Sequence, residues 1–410
     1  MSDRYDVAIA GAGPAGAQCA RDLAARDYDV VVLETESEAE FPRQSNKSTA
    51  GTFPSMMASF GIPDDVVMSF TDDVVLESPT DYYESYQPGA VLEFAEFKRF
   101  LVEDGRESGA EYRFDARVSR PILDDDGVIE GVTYAGDEEV YADVVVDATG
   151  PAAPIAQALD VVDLERENQA IGIEYEMEGV ELDHPEFADL RRSMMLRLDH
   201  DIAPGGYSWI FATGETSAKV GICYIQNDRH REFAKEGQTV DGYLEDWIEN
   251  DPRFADAEVL EGKVHRGSAH IQRPGQMHTD GFIAIGDTVP TIDPLWGEGI
   301  HKGMKSARAA AATIDRCLTD ADRPTDADSL ALYDQLWHEE VAPRMNARLL
   351  LTELLYLAPN ERYDRLMRDL RQTDDDTLAK ANRGEKRAMA KLIHLDDLPL
   401  LAKYARERLA

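Results

Sequence analysis

Cysteine is scarce in this chain: Cys19, Cys223 and Cys317 stand far apart in 410 residues. Without a CxxC pair neither a zinc ribbon nor an iron–sulfur cluster is expected, and free thiols fit a reducing compartment. Long apolar runs are missing too. Nothing approaches the roughly 18 consecutive apolar residues of a membrane-spanning helix. The first strand is expected from Tyr5, which leaves no signal peptide to expect ahead of it. Basic stripes are absent, so nucleic acid is not an expected partner. Internal repeats and low-complexity segments are absent as well. Cationic charge is short overall: 80 Asp and Glu stand against 42 Lys and Arg, a net charge of -38.

That acidity is the strongest compositional feature. Acid runs such as Asp124–Asp126 and Asp374–Asp376 lie between periodic segments, where they stay solvated, and Arg outnumbers Lys. The pattern is that of a protein kept soluble in multimolar salt, where screening removes most self-repulsion. A cytoplasmic location in a haloarchaeal or similar salt-in cell is expected. With 43% hydrophobic residues, a chain of this length can bury two or more cores.

Residues 5–10 read as a buried parallel strand, followed by a Gly-rich turn and an Ala-rich helix to about Ala25; residues 29–34 read as a second buried strand. Residues 42–62 are loop-rich, and 93–109 read as a helix. Strands are expected at 111–119, around a hairpin at Asp124–Gly131, and at 140–147. An antiparallel series is expected near 168–178, 193–199, 207–212 and 218–226, then a helix near 239–249. A buried strand at 281–287 leads to a small-residue helix from about Gly299 to Cys317, and the pattern is helical from about 327 onward.

Three motifs carry chemistry. In Gly11-Ala12-Gly13-Pro14-Ala15-Gly16, Gly11 permits the strand-to-helix turn and Gly13 lets backbone approach a pyrophosphate. Gly16 and Ala20 let helix and strands pack closely, and the helix N-terminus faces the phosphate charge. Glu34, ending the second strand, can accept hydrogen bonds from both hydroxyls of an adenosine ribose. Asp147-Ala148-Thr149-Gly150 ends a later strand. Gly286-Asp287 ends a third and is followed by Pro294-Leu295-Trp296-Gly297-Glu298-Gly299-Ile300. Asp287 can bond a ribityl hydroxyl or reach a phosphate through water. The Gly297–Gly299 turn opens a helix whose positive end supports negative charge on a reduced flavin. This third motif separates FAD from NAD as the expected cofactor. Arg43 and Lys47 offer cations in the loop after the second strand. His265, His270, His278 and His301 have spacings that suit no metal site, and no metal is expected.

These motifs resemble the aromatic-hydroxylase-like class of flavoproteins over roughly residues 1–320. Within that class, Gly206-Tyr207-Ser208-Trp209-Ile210-Phe211 followed by Ala218-Lys219-Val220-Gly221-Ile222 resembles the YxWxFP strand and VGI strand of the geranylgeranyl reductase family. The helix with Phe97 and Arg99, then Gly109-Ala110-Glu111, fits the class as well. Two features depart from the family: Ala212 stands where its motif ends in Pro, and the loop 43–48 lacks the cysteine that many members carry there.

The resemblance implies an α/β fold: a doubly wound FAD-binding domain of the aromatic-hydroxylase type, an inserted antiparallel-sheet substrate domain and a C-terminal helical region. The expected boundaries are 1–75, 93–160 and 265–320 for the flavin domain, 76–92 and 161–264 for the substrate domain, and 321–410 for the helices. It further implies hydride transfer from reduced flavin to geranylgeranyl double bonds of an archaeal ether-lipid precursor. Tyr207, Trp209 and Phe211 would form the wall of the isoprenoid cavity, ending at the flavin edge beside Pro294–Gly299. From spacing alone the three aromatics share one strand face, which plain core packing also explains. The reductant is open between a ferredoxin and NAD(P)H. Two apolar runs, Leu349–Leu357 and Leu398–Leu401, suit either packing or a transient peripheral membrane contact. A flavin monooxygenase, or a non-catalytic flavin-bound electron carrier or lipid-binding protein, would carry the same three motifs.

Overall fold

The computed structural model describes residues 3–42 and 48–407. The chain forms two compact units, each assembled from three separated segments. The first takes Met1–Asn46, Ala95–Glu165 and Ala269–Met345, and the second takes Lys47–Phe94, Arg166–Ser268 and Asn346–Ala410.

The first unit is built on a sheet whose strands run in the order His278–Thr279, Phe282–Ala284, Glu138–Asp147, Asp3–Ala10, Val30–Leu33 and Glu111–Arg113. Val7, Ile9, Val31, Val32, Val144 and Val146 are all fully buried, which explains the unbroken β-branched runs: covered on both faces, these strands have no polar side to alternate with. Each such side chain contributes roughly 1.5–3 kcal/mol by leaving water. The central strands are parallel, and their register sets Ala10 beside Leu33, Ala10 beside Asp147, and Asp147 beside Ala284. Three segments far apart in sequence therefore leave the sheet at the same edge. The strand expected over 111–119 is interrupted: Asp115 takes φ 53, and the chain resumes as Val118–Leu123 in a meander with Ile129–Tyr134. The strand expected over 281–287 is shorter, Phe282–Ala284, because Gly286–Thr288 coils into a 3-10 turn.

The second unit holds an eight-stranded sheet in the order Glu258–His270, Gln169–Glu178, Ala218–Ile225, Gly206–Ala212, Ser193–Arg197, Val67–Glu77, Tyr82–Leu92 and Gly51–Thr52. It departs from a purely antiparallel sheet where Ser193–Arg197 pairs in parallel with Val67–Glu77. One face carries Val75, Ile173, Met195, Ile210, Val220 and Ile222 against Tyr243, Leu244 and Trp247 of the helix Val240–Asn250. On this side Arg253, 1% exposed, bonds Glu77 and Asp251, while Arg197 bonds Glu77 and Asp199. This closed set of charges links the loop after Val240–Asn250 to the sheet. The long hairpin 67–92 is not apparent from sequence because its polarity pattern is broken: Phe70 and Tyr86 are exposed. The helices of Asn346–Ala410 belong to this unit, and His200 joins one connection to the sheet, its Nε2 lying 2.8 Å from Ala358 O.

Candidate active site

The edge shared by the three strand ends holds the Gly-rich motifs of the first unit. Gly11 takes φ +100, and a Cβ there would lie 2.6 Å from Ala148 O, so the first and second motifs meet backbone to backbone. A Cβ on Gly16 would fall 2.0 Å from Gly11 O, so this position admits no side chain. Gly13 is different: a Cβ there meets nothing within 4 Å. It precedes the helix Pro14–Ala24, which has no side-chain cap. That combination of open space, absent side chain and uncapped helix N-terminus suits a pyrophosphate. Glu34 lies at the end of the neighbouring strand, where Oε2 accepts from Ala12 N at 2.8 Å and Oε1 from Glu36 N at 3.0 Å. Each oxygen retains a further lone pair for a ribose hydroxyl.

Asp147 is fully buried, and its Oδ1 accepts from Thr149 N and Oγ1 while Oδ2 accepts from Ala156 N. Burial raises its pKa despite these bonds. Both oxygens are used inside the chain, so what Asp147 offers a cofactor is the turn that it holds. Gly150, at φ +77, donates to Thr288 Oγ1 at 3.1 Å, tying the second motif to the third. Gly286 N donates to Ser306 Oγ at 2.9 Å, and Cβ atoms on Gly286 and Gly303 would lie 2.8 and 3.6 Å from Ala15 Cβ. Ala15 is therefore the seam where the first helix, the Gly286 turn and the helix Ile300–Thr319 meet.

Asp287 has no hydrogen-bond partner among the described residues, and burial alone pushes its carboxyl up to about 6. It faces Gly299, whose Cβ would sit 3.7 Å from Asp287 Oδ2. An unpartnered carboxyl in such a place fits a ligand that brings a hydroxyl. Between the two, Asp293 folds the Pro294–Gly299 loop: Oδ1 accepts from Leu295 N and Trp296 N, and its carbonyl from Gly297 N. Gly297 takes φ +67, and Gly299 stands uncapped ahead of Ile300. His301, in the first helical turn, has its pKa lowered to about 4 by burial and by Lys305 and Lys302. Asp293, Thr288 and Ser306 brace these turns by hydrogen bonds that sequence reading missed; only the Asp-Pro pair at 293–294 signals a side-chain-capped turn. Arg43 and Lys47 lie outside the described residues.

The aromatic strand lies in the second unit. Tyr207, Trp209 and Phe211 alternate on the sheet face opposite the Ile210–Val220 core. The register arranges that face in rows. One runs Glu176, Lys219, Phe211, Met194 and Val74; the next runs Glu174, Gly221, Trp209, Leu196 and Leu76. The last sets Gly172, Cys223 and Tyr207 side by side. The Phe211 ring lies over Gly51, where a Cβ would come within 2.6 Å of it, and packs with Met194. Tyr207 and Trp209 rings are 5.8 Å apart. Lys219 Nζ donates to Thr49 O and Leu92 O. Although burial pushes Glu176 up, His265, Lys219 and Lys263 bring it down to about 2. Burial pushes the Cys223 thiol up to about 12, and Cys19 and Cys317 are raised as well, so none of the three is a thiolate at neutral pH.

Residues 4–329 match the FAD binding domain family. Over 407 residues the chain is 66% identical to the digeranylgeranylglycerophospholipid reductase of Haloferax volcanii, covering 99% of both chains. It is 28% identical to digeranylgeranylglycerophospholipid reductase 2 of Methanopyrus kandleri, covering 98% of each. Among solved structures, a geranylgeranyl bacteriochlorophyll reductase-like protein of Thermoplasma acidophilum superposes with a TM-score of 0.82 at 20% identity, covering 96% of this chain and 100% of that one. The flavin-dependent brominase Bmp2 follows the same fold at a TM-score of 0.68 and 21% identity, covering 90% and 92%. The expected α/β flavoprotein fold and the expected cofactor, FAD, agree with these matches, and the chain is an FAD-dependent oxidoreductase. It belongs to the digeranylgeranylglycerophospholipid reductase family of FAD-binding proteins.

Proposed function

We propose that this oxidoreductase saturates the geranylgeranyl double bonds of an archaeal ether-lipid precursor. The observation that carries the reading is the 66% identity, end to end, with a reductase named for that lipid class. In this reading the first unit is the flavin domain and the second holds the substrate. When bound, FAD in its reduced form supplies the hydride. Gly11, Gly13, Ala15 and Gly16 receive its pyrophosphate, Glu34 its ribose and Asp287 its ribityl chain. Pro294, Gly297, Gly299 and Ile300 support the ring, and Asp147 and Gly150 hold the turn beside it.

An isolated trisubstituted alkene has no carbonyl to stabilise an anion, so a proton must add first or in concert, and positive charge develops at the tertiary carbon. The chain's task is to keep that carbon dry and surround it with faces that tolerate a cation. Tyr207, Trp209 and Phe211 supply such a face. Trp209→Ala is expected to retain FAD yet reoxidise about tenfold to a hundredfold more slowly with a geranylgeranyl lipid under anaerobic conditions. Reoxidation at the wild-type rate would remove Trp209 from the site. Flavin that reoxidises only with oxygen, yielding a hydroxylated product, would make the enzyme a monooxygenase instead.

No helix among the described residues is long and apolar enough to cross a membrane. The run Leu349–Leu357 lies inward, with no leucine exposed, whereas Leu398 and Ile393 are exposed, with Lys386, Arg387 and Lys391 exposed nearby in sequence. Residues 341–410 hold 14 Lys and Arg against 11 Asp and Glu, unlike the acidic remainder. This exposed apolar and basic segment supports the reading of a transient peripheral contact. In high salt, Ile393→Asp with Leu398→Asp is expected to cut flotation with lipid vesicles roughly tenfold, the scale of losing two partly inserted apolar side chains. Undiminished flotation would place the contact elsewhere.

A further inference from the structure

The register of the second unit's sheet sets an acid beside Trp209. Glu174 faces Gly221 across one ladder, and Gly221 faces Trp209 across the next. The indole crosses the intervening strand because Gly221 has no side chain: a Cβ there would fall 2.3 Å from Trp209 Cζ2 and 2.6 Å from Cε2. At the far side Trp209 Nε1–H donates to Glu174 Oε2 at 2.9 Å, with Glu174 3% and Trp209 8% exposed. The other carboxyl oxygen, Oε1, is buried and has no hydrogen-bond partner among the described residues.

Its neighbour on the same strand is treated in the opposite way. Glu176 is met by His265 and Lys263, with Lys219 as a third nearby cation. Two acids two residues apart thus share a face, one surrounded by cations and the other given a single indole N–H. A buried carboxyl oxygen left without a partner is unfavourable in the empty protein and becomes favourable when positive charge arrives beside it. An indole whose N–H is bonded to a carboxylate is polarised toward its ring, and its face attracts a cation more strongly.

We propose that Glu174 is a positioning residue that fixes the Trp209 indole across Gly221 and enriches its face in negative charge, so that the pair stabilises a positive centre on a bound isoprenoid chain. The inference rests on the substrate-wall reading of the Gly206–Ala212 strand given above. A saturated or ground-state chain gains little from such a pair; a chain carrying charge at a tertiary carbon gains much.

The test compares two probes on the FAD-loaded enzyme in concentrated KCl: geranylgeraniol, and an aza-analogue in which a protonated nitrogen replaces one tertiary alkene carbon. Wild type is expected to bind the ammonium probe on the order of tenfold more tightly than the alcohol. Glu174→Gln still accepts the indole hydrogen bond, so it should keep its melting temperature, its flavin and its affinity for the alcohol, and lose the preference. Trp209→Phe, which cannot donate that bond, should lose the preference from the other side. Retention of the full preference in either variant, or its absence in wild type, overturns the proposal. Trp209→Ala tells the two readings apart. If it weakens alcohol binding while wild type ignores the charge, the wall stands and the charge role fails. If it leaves alcohol binding unchanged, the wall reading falls and this proposal with it.

Discussion

Gly13→Val protein is expected to fold with near wild-type stability and to purify without FAD. Two glycines three residues apart do opposite things. At Gly13 an added Cβ enters open space, so the apoprotein loses nothing by accepting it; the branched side chain then occupies the volume assigned to the pyrophosphate. At Gly16 even one methyl would sit 2.0 Å from Gly11 O, well inside any tolerated approach, and nothing there can move without breaking the strand–helix turn. Gly16→Ala is therefore expected to destabilise by several kcal/mol, of the order of the most severe single substitutions. Absorbance at the flavin bands and a thermal melt on both variants check the pair. Loss of flavin should exceed roughly a hundredfold in affinity for Gly13→Val, since binding that takes the backbone to the phosphate cannot accommodate a side chain between them. A yellow Gly13→Val protein at full occupancy would move the pyrophosphate off this turn.

The second large effect is expected from salt. A net charge of -38 on one chain creates a self-repulsion that is felt over about 10 Å at 0.1 M salt and about 3 Å at 1 M. Raising KCl from 0.1 to 3 M should raise the unfolding midpoint by on the order of 15 °C. At roughly 2 °C per kcal/mol for a chain of this size, that corresponds to several kcal/mol of repulsion removed. Salt also weakens exposed attractive pairs such as Arg192–Asp72 and Arg191–Asp189, but these contribute little and so reduce the gain only slightly. The buried set of Arg253, Arg197, Glu77, Asp251 and Asp199 is shielded from solvent ions and should hold at all salt concentrations. A melting curve that stays flat from dilute buffer to multimolar KCl would remove the high-salt reading of the composition.

The parts of this molecule that could be read from sequence are those whose meaning is local. Gly11 through Gly16 sit between a strand and a helix that are themselves evident, so turn, close approach and helix end can be assigned in a span of six residues. The alternation of Tyr207, Trp209 and Phe211 likewise places them on one face whatever lies opposite. What stayed hidden depends on partners distant in sequence. Nothing near Thr288 announces that its hydroxyl meets Gly150 N, or near Ser306 that its own meets Gly286 N. Glu174 looks like any acid in an acidic protein until the register brings Trp209 to it over Gly221. The hairpin 67–92 was missed for a different reason: exposed aromatics at Phe70 and Tyr86 broke the alternation that marks a half-buried strand.

The row formed by Ala10, Leu33, Asp147 and Ala284 also sets the order of events during synthesis. The first two of these strand ends leave the ribosome early, but the sheet edge is incomplete until residue 284 has followed, after most of the inserted sheet has been made. A nascent chain is therefore expected not to hold flavin until residue 284 has been made. Until then the apolar strand Glu138–Asp147 waits with its outer neighbour Phe282–Ala284 missing, which leaves its edge open to misassembly. Acquisition of FAD is expected late in biogenesis. Truncations that end before Phe282 should therefore be colourless and prone to aggregate, however well the second unit's sheet has formed.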